Sequence, residues 1–447
     1  MTSTNPLAIV ILAAGLGTRM KSAVPKAMHK LAGRPLIGWL LETAEDLSPE
    51  KIIVVVGPGM DDLTVAVAPH TTVIQKDRRG TGDAIRAALP ALAGFKGDVL
   101  ILLGDMPLIT LATLRALIES RGKGPKFGLS VLGAEYEDTP AFGRIIQNID
   151  GSLQKIVEHR DATDEEREIN LCNTGAFCVD GSKLAAWVEK IGTNNAQKEY
   201  YITDLPVIAA AEGIKTAVCV THNESEVHGV NSREDLALLE AMVQDELRLQ
   251  AMQDGATLID PDSVYFSFDT SLGQDVVVEP NVFFGPGVDI ADNVTIHAFS
   301  HLEGVTVASN AAIGPFARLR VGSQIDEGVT VGNFTEINRT HMKANAKSKH
   351  LCYLGDAVIG ENSNIGAGTV IANYDGFDKN KTVLGRAVFI GSNSTLIAPL
   401  TIGSGAIIAG GSVITDDIPA DALGLARGKQ IIREDWAAEF RQRKAKK

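Results

Sequence analysis

The apolar positions of this chain follow two different rules, one in each half. Up to about residue 230, short apolar runs alternate with stretches of helical spacing. Ala8 to Leu12, Ile52 to Val56, Val73 to Gln75 and Val99 to Leu103 read as buried strands. Leu36 to Ala44 and Thr81 to Leu89 read as helices between them. Such alternation predicts a mostly parallel sheet covered on both faces, with ligands beyond the carboxyl ends of the strands. Ser232 then opens a predicted helix, with Asp235 three residues on as its capping partner. Leu236, Leu239, Met242, Val243 and Leu247 form its apolar stripe and Gly255 ends it, so residues 232–255 read as a linker helix between domains 1–231 and 256–447.

Beyond Gly255 the pattern changes to a beat of six. Aliphatic or aromatic residues fall at Val278, Phe284, Ile290, Ile296 and Leu302, then after a one-residue slip at Val307, Ile313, Leu319, Ile325, Val331 and Ile337. The beat returns at Ile359, Ile365 and Ile371, and again from Leu384 through Ile390, Leu396, Ile402, Ile408 and Ile414. A six-residue unit cannot bury its apolar residue alone, but stacked coils of three units line those residues into one core. The prediction is an all-β solenoid of hexapeptide repeats, a triangular prism. Residues 338–353 and 373–383 break the beat and are expected to be loops on its surface, where function often resides.

Composition narrows the chemistry. The formal charge of -13 argues against a general nucleic-acid surface, yet one bound triphosphate needs only local amides and a cation. The run Leu7 to Ala14 is too short for a bilayer span and lacks a basic flank, so neither a membrane segment nor a signal peptide is expected. Cys172, Cys178, Cys219 and Cys352 form no CxxC pair, which suits reduced thiols in the cytoplasm.

The turn Leu12-Ala13-Ala14-Gly15-Leu16-Gly17-Thr18-Arg19-Met20 follows the first strand directly. Its small residues let backbone amides approach a phosphate or base, although it is neither a Walker loop nor a dinucleotide fingerprint. Lys26 adds a cation one short loop away. Asp105, at a strand's carboxyl end after Gly104, suits a Mg2+ ligand or equally a turn-capping carboxylate.

With Pro25-Lys26, Gln75, Gly80-Thr81-Gly82, Ile156-Val157-Glu158, Asn173-Thr174-Gly175 and Tyr200-Tyr201-Ile202-Thr203-Asp204, this turn resembles the sugar-1-phosphate nucleotidylyltransferases. More narrowly, nearly the whole chain resembles the bifunctional N-acetylglucosamine-1-phosphate uridyltransferase/glucosamine-1-phosphate acetyltransferase family. The resemblance implies a Rossmann-like uridylyltransferase domain, a left-handed parallel β-helix and a cytoplasmic homotrimer. It implies synthesis of UDP-N-acetylglucosamine for peptidoglycan and lipopolysaccharide, with UTP and acetyl-CoA as co-substrates and Mg2+ as cofactor. Leu12, Ala13, Ala14, Gly15, Gln75, Gly80, Thr81 and Gly104 would hold the nucleotide. Gly143, Glu158 and Asn173 would hold the sugar, Asp105 and Asn231 the Mg2+, and Lys26 and Arg19 would offset phosphate charge. Leu103 and Ala141 depart from the family's usual Tyr and Gly.

On the solenoid, the resemblance makes His350 the general base. A histidine with a pKa near ~6.5 can take the amine proton at cytosolic pH. Arg320, Asn338, Tyr353, Asn364, Asn373 and Tyr374 would surround glucosamine 1-phosphate, and Ala367, Ser392, Gly410 and Arg427 would face acetyl-CoA. Asn338 stands where the family has Lys. Arg339 is adjacent, but strand alternation would turn it to the other face. A weaker grip on the phosphate, or compensation by Lys343 or Lys347, is therefore expected. Rival readings are a single-activity nucleotidylyltransferase with a structural or regulatory solenoid, a zinc enzyme using His297, His301, His341 or His350, and an inert scaffold.

Overall fold

The computed structural model describes residues 5–122, 127–137, 139 and 141–445. They divide into two compact units, Met1–Val243 and Gln244–Lys447.

The first unit is built on a nine-stranded sheet. Its spatial order is Thr71–Ile74, Lys51–Val56, Leu7–Leu12, Asp98–Leu103, Leu171–Asp180, Phe127–Glu135, Lys215–Thr221, Leu153–Val157 and Arg144–Gln147. The first four run parallel, as the alternating pattern predicts. Leu171–Asp180 then pairs antiparallel with both neighbours, so the sheet is mixed rather than mostly parallel. The parallel strands read as unbroken apolar runs because both their faces are covered: Ala8, Ile9, Val10 and Ile11 are fully buried. Helices Leu36–Glu45 and Thr81–Ala88 form where helical spacing predicts them.

The long helix runs from Arg233 to Gln253, and the two units divide within it. Its start is a reciprocal cap: Asp235 N–H donates to Ser232 Oγ (3.1 Å), and Ser232 N–H to Asp235 Oδ2 (2.8 Å). Met242 is exposed, which corrects its place in the apolar stripe; Leu239 and Val243 are buried. In the second unit the same helix buries two polar side chains, each tied to backbone. Gln244 exchanges hydrogen bonds with Phe266, and Arg248 Nε donates to the Val264 carbonyl (2.9 Å).

The second unit is a parallel β-helix. Inward residues repeat at coil spacing: Val278 pairs with Ile296, Ile296 with Ile313, Ile313 with Val331, and Ile390 with Ile408. They form one continuous core with almost no exposed side chain. Residues 338–353, expected to be a loop, are instead a regular coil. Val331 pairs with Ser348 and Ile337 with Leu354, and the strands Thr330–Asn338 and Lys347–Gly355 are the longest in the solenoid. The beat fails there because Ser348, not an aliphatic residue, occupies an inward position, fully buried. Residues 373–383 do contain an insertion. Ile359 pairs with Leu384 across 25 residues, whereas Ile390 pairs with Ile408 across 18.

Candidate active sites

Two adjoining clefts open at the carboxyl end of the parallel strands. The first, of about 270 Å³, is lined by Leu12, Ala13, Ala14, Gly15, Lys26, Gln75, Gly80, Thr81, Gly104 and Asp105. The second, of about 490 Å³, is lined by Arg19, Gly143, Glu158, Asn173 and Asn231. Thr81, Leu103 and Asp105 belong to both, so Asp105 stands at the junction. Every N-terminal site residue expected from sequence therefore lies on one of two connected walls.

The junction is held by backbone. Gly104 N–H donates to the Leu12 carbonyl (2.9 Å) and Val230 N–H to the Asp105 carbonyl (2.9 Å), which brings Asn231 beside Asp105. The Lys26 ammonium bonds the Asp105 carboxylate and donates to Asn231 Oδ1 (3.1 Å). Two oxygen donors from distant segments thus already converge on one cation.

Glu158, on the wall of the larger cleft, accepts from Thr203 Oγ1 (3.0 Å). Burial pushes its carboxyl above the ordinary 4.5; the Thr203 bond opposes this, and nearby Asp161, Asp204 and Glu199 add to the rise. Asn173 N–H donates to the Gly143 carbonyl (2.7 Å), pairing two expected sugar-binding positions. Sequence reading missed Arg78, whose Nε donates to the Ala14 carbonyl (2.8 Å) and pins the glycine-rich turn. It also missed Asp83, which accepts from Gln75 Nε2 (2.9 Å).

On the solenoid, the coil register decides which side chains meet. Arg318, Glu336 and Tyr353 occupy one position in successive coils, and Asn338 pairs with Gly355. Arg320 lies beside this column, its Nη1 2.9 Å from Glu336 Oε1. The Tyr353 hydroxyl and Asn373 amide both close over Gly355, where an added Cβ would stand 2.6 and 2.8 Å from them. Asn373 also bonds the Asp356 carboxylate. Arg339 does not turn away as alternation required. It follows the end of the strand with φ +47°, so its side chain swings back and Nη1 donates to Asn338 Oδ1 (3.1 Å). Its Nε and Nη2 bridge Asp356 at 2.6 and 2.8 Å, and this guanidinium holds the Asp356 carboxyl below its ordinary value.

His350 sits on a regular strand, exposed, rather than in an insertion. Its Nδ1 is 2.9 Å from Asn333 Oδ1, the side chain one coil before. With that oxygen accepting, Nδ1 carries the proton and Nε2 keeps its lone pair. Lys347, offered by sequence as a compensating cation for Asn338, is exposed, and its backbone stands in register with Asn364 of the next coil. Tyr374 lies on the inserted loop, exposed, with its hydroxyl bonded to the Gly376 carbonyl (2.6 Å). Ala367, Ser392 and Gly410 stack along one corner: Asn393 N–H donates to the Ala367 carbonyl, Gly411 N–H to that of Ser392, and Arg427 Nη1 to that of Gly410.

The other histidines have protein partners. His297 pairs with Glu279, His341 with Asp326, and His301 stacks on Phe283. Among the described residues, no three His, Cys, Asp or Glu side chains are grouped to hold a metal, and none of the four cysteines is in a disulfide.

Residues 9–143 match the MobA-like NTP transferase domain, and residues 381–416 match the bacterial transferase hexapeptide (six repeats) model. The full length is similar to curated proteins of one name. The bifunctional protein GlmU of Paramagnetospirillum magneticum is 48% identical, covering 100% of this chain and 99% of its own. That of Zymomonas mobilis is 47% identical, covering 100% of both. That of Agrobacterium fabrum is 44% identical, covering 97% and 96%.

Proposed function

The chain belongs to the bifunctional GlmU family, and on that premise we infer a two-step synthesis of UDP-N-acetylglucosamine by one polypeptide. The observation that carries the nucleotide step is the meeting of two clefts at Asp105, one floored by small residues and backbone, the other by Glu158 and Asn173.

In the first step the amine of glucosamine 1-phosphate attacks the thioester carbonyl of acetyl-CoA. The amide bond forms, the C–S bond breaks, and CoA leaves as the thiol. His350 Nε2 takes the amine proton and returns it to the departing sulfur, with Asn333 fixing the ring. Arg320, Asn338, Tyr353 and Asn373 surround the sugar phosphate, while Asn364 and Tyr374 stand at its margin. Ala367, Ser392, Gly410 and Arg427 form the donor corner.

In the second step a phosphate oxygen of N-acetylglucosamine 1-phosphate attacks the α-phosphorus of UTP, and the bond to the β-phosphate oxygen breaks to release pyrophosphate. The protein positions both partners and neutralises charge. Gln75 and the Leu12–Gly15 turn hold the base, Glu158 and Asn173 the sugar, and Lys26 and Arg19 face the phosphates. Asp105 and Asn231 suit Mg2+, because hard oxygen donors that already share the Lys26 ammonium fit a hard divalent ion. When bound, that ion would supply further neutralisation of phosphate charge.

A homotrimer is supported by an exposed aromatic column, Phe299, Phe316 and Phe334, stacked at 4.9 and 5.2 Å. Exposed apolar ladders of this kind mark contact surfaces. Among the described residues no helix is long and apolar enough to cross a membrane. Incubating the protein with glucosamine 1-phosphate, acetyl-CoA, UTP and Mg2+ should yield UDP-N-acetylglucosamine, and omitting acetyl-CoA should leave little nucleotide sugar. UTP consumption with N-acetylglucosamine 1-phosphate but no acetyl transfer to the amino sugar would reduce the protein to a single activity.

A further inference from the structure

We propose that Asp83 sets the base specificity of the nucleotide cleft by fixing which end of the Gln75 amide faces the base. The proposal rests on the uridylyl-transfer reading and adds to it a positioning residue.

Gln75 is 5% exposed and lines the smaller cleft. Its Nε2 donates to the Gly80 carbonyl (2.9 Å) and to Asp83 Oδ2 (2.9 Å). A primary amide nitrogen has two N–H groups, and both are committed. Neither partner can donate, because a backbone carbonyl and an ionised carboxylate only accept. Turning the amide over would press Gln75 Oε1 against two further acceptors with no proton between them, in a buried place where unpaired polar groups are costly. Gln75 Oε1 is therefore the atom left for a ligand.

That atom reads one feature of a pyrimidine. In a nucleotide, uracil offers an N–H at ring position 3, whereas cytosine offers a lone pair there. Oε1 accepts from the first and repels the second. A site built around such a donor rejects the isostere that lacks it far more strongly than shape alone can.

Asp83 is itself held in place. It lies in the first turn of the helix Thr81–Ala88, and Arg79 N–H also donates to its Oδ2 (3.3 Å). The turn before it is fixed by Gly80 at φ +105°, by Gly82 N–H bonded to the Tyr200 carbonyl (2.8 Å), and by Ile202 N–H bonded to Thr81 Oγ1 (3.0 Å). The competing role is a first-turn carboxylate that merely stabilises this helix.

The test compares kcat/KM for UTP and for CTP, with N-acetylglucosamine 1-phosphate as acceptor, in the parent enzyme, Asp83→Asn, Asp83→Glu and Gln75→Ala, alongside thermal melting. Asparagine can offer an N–H to Gln75, which removes one of the two acceptors holding the amide and lowers the cost of a reversal that would present the Gln75 N–H to cytosine. The UTP:CTP ratio should fall by about tenfold or more in Asp83→Asn and recover towards the parent value in Asp83→Glu. Gln75→Ala should weaken UTP binding. A helix-stabilising role alone would lower the melting temperature and leave the ratio within about twofold; that result, with Gln75→Ala still impaired, would overturn the proposal. Should Asp83→Asn fail to fold, Asp83→Ala gives the same reading, because losing one acceptor still lowers the ratio and an unchanged ratio still refutes. A parent enzyme that consumes no UTP would instead remove the uridylyl-transfer reading beneath it.

Discussion

Replacing Arg339 with Ala tests whether the cation missing at Asn338 has been supplied by its neighbour. The φ of +47° brings the guanidinium back over Asn338, one coil on from Arg320. A guanidinium about 5 Å from a phosphate interacts with it by roughly 3 kcal/mol at an effective dielectric of about 20. The side chain is 39% exposed and shares its charge with Asp356, so solvent screening reduces this to about 1–2 kcal/mol. Arg339→Ala should then raise KM for glucosamine 1-phosphate about 5- to 30-fold, measured by release of the CoA thiol at saturating acetyl-CoA. The double change Asn338→Lys with Arg339→Ala should restore most of the loss, since it returns a cation to the same column. A purely structural Arg339, bracing Asp356 and Asn373, would not be rescued in that way. An Arg339→Ala KM within about twofold of the parent would refute the argument.

Other outcomes follow from the geometry. Gly80→Ala places a Cβ 2.5 Å from the Tyr200 carbonyl oxygen at φ +105°, which should cost about 2–4 kcal/mol in urea unfolding through strain and overpacking together. His350→Ala should lower kcat for acetyl transfer by about 10²–10⁴-fold while uridylyl transfer in the same preparation persists. Glu158 should give the nucleotide step an acid limb, with KM for N-acetylglucosamine 1-phosphate rising at a pH above the ordinary 4.5, and Glu158→Gln should remove that limb. The sign for stability is opposite to that of a paired carboxylate. Because the folded state holds this proton more tightly than the unfolded chain, its contribution is present below 4.5 and is lost as pH rises through the folded value.

Much of the architecture was legible because it is written in periodicity. The parallel strands, the capped helix at Ser232 and the beat of six each follow from where apolar residues must go. The antiparallel strand Leu171–Asp180 was not foreseen, since an apolar run carries no mark of direction. The coil holding His350 reads as a loop in the sequence because one inward position is Ser348, whose polar side chain hides the register that backbone pairing preserves. Strand alternation puts Arg339 on the wrong face because it holds only while φ stays extended. The expected residues of the nucleotide site gather at two clefts, but Asp83 and Arg78 could not be foreseen. Each acts on a residue distant in sequence or on a carbonyl, and neither leaves a compositional trace.

The inserted loop after Asn373 has a consequence for how this enzyme can change. Added length there leaves Ile359 and Leu384 paired as neighbours, and closure entropy grows only slowly with loop size. Sequence at that corner can therefore be rewritten without disturbing the coils above or below, so that innovation and folding draw on separate stretches of chain.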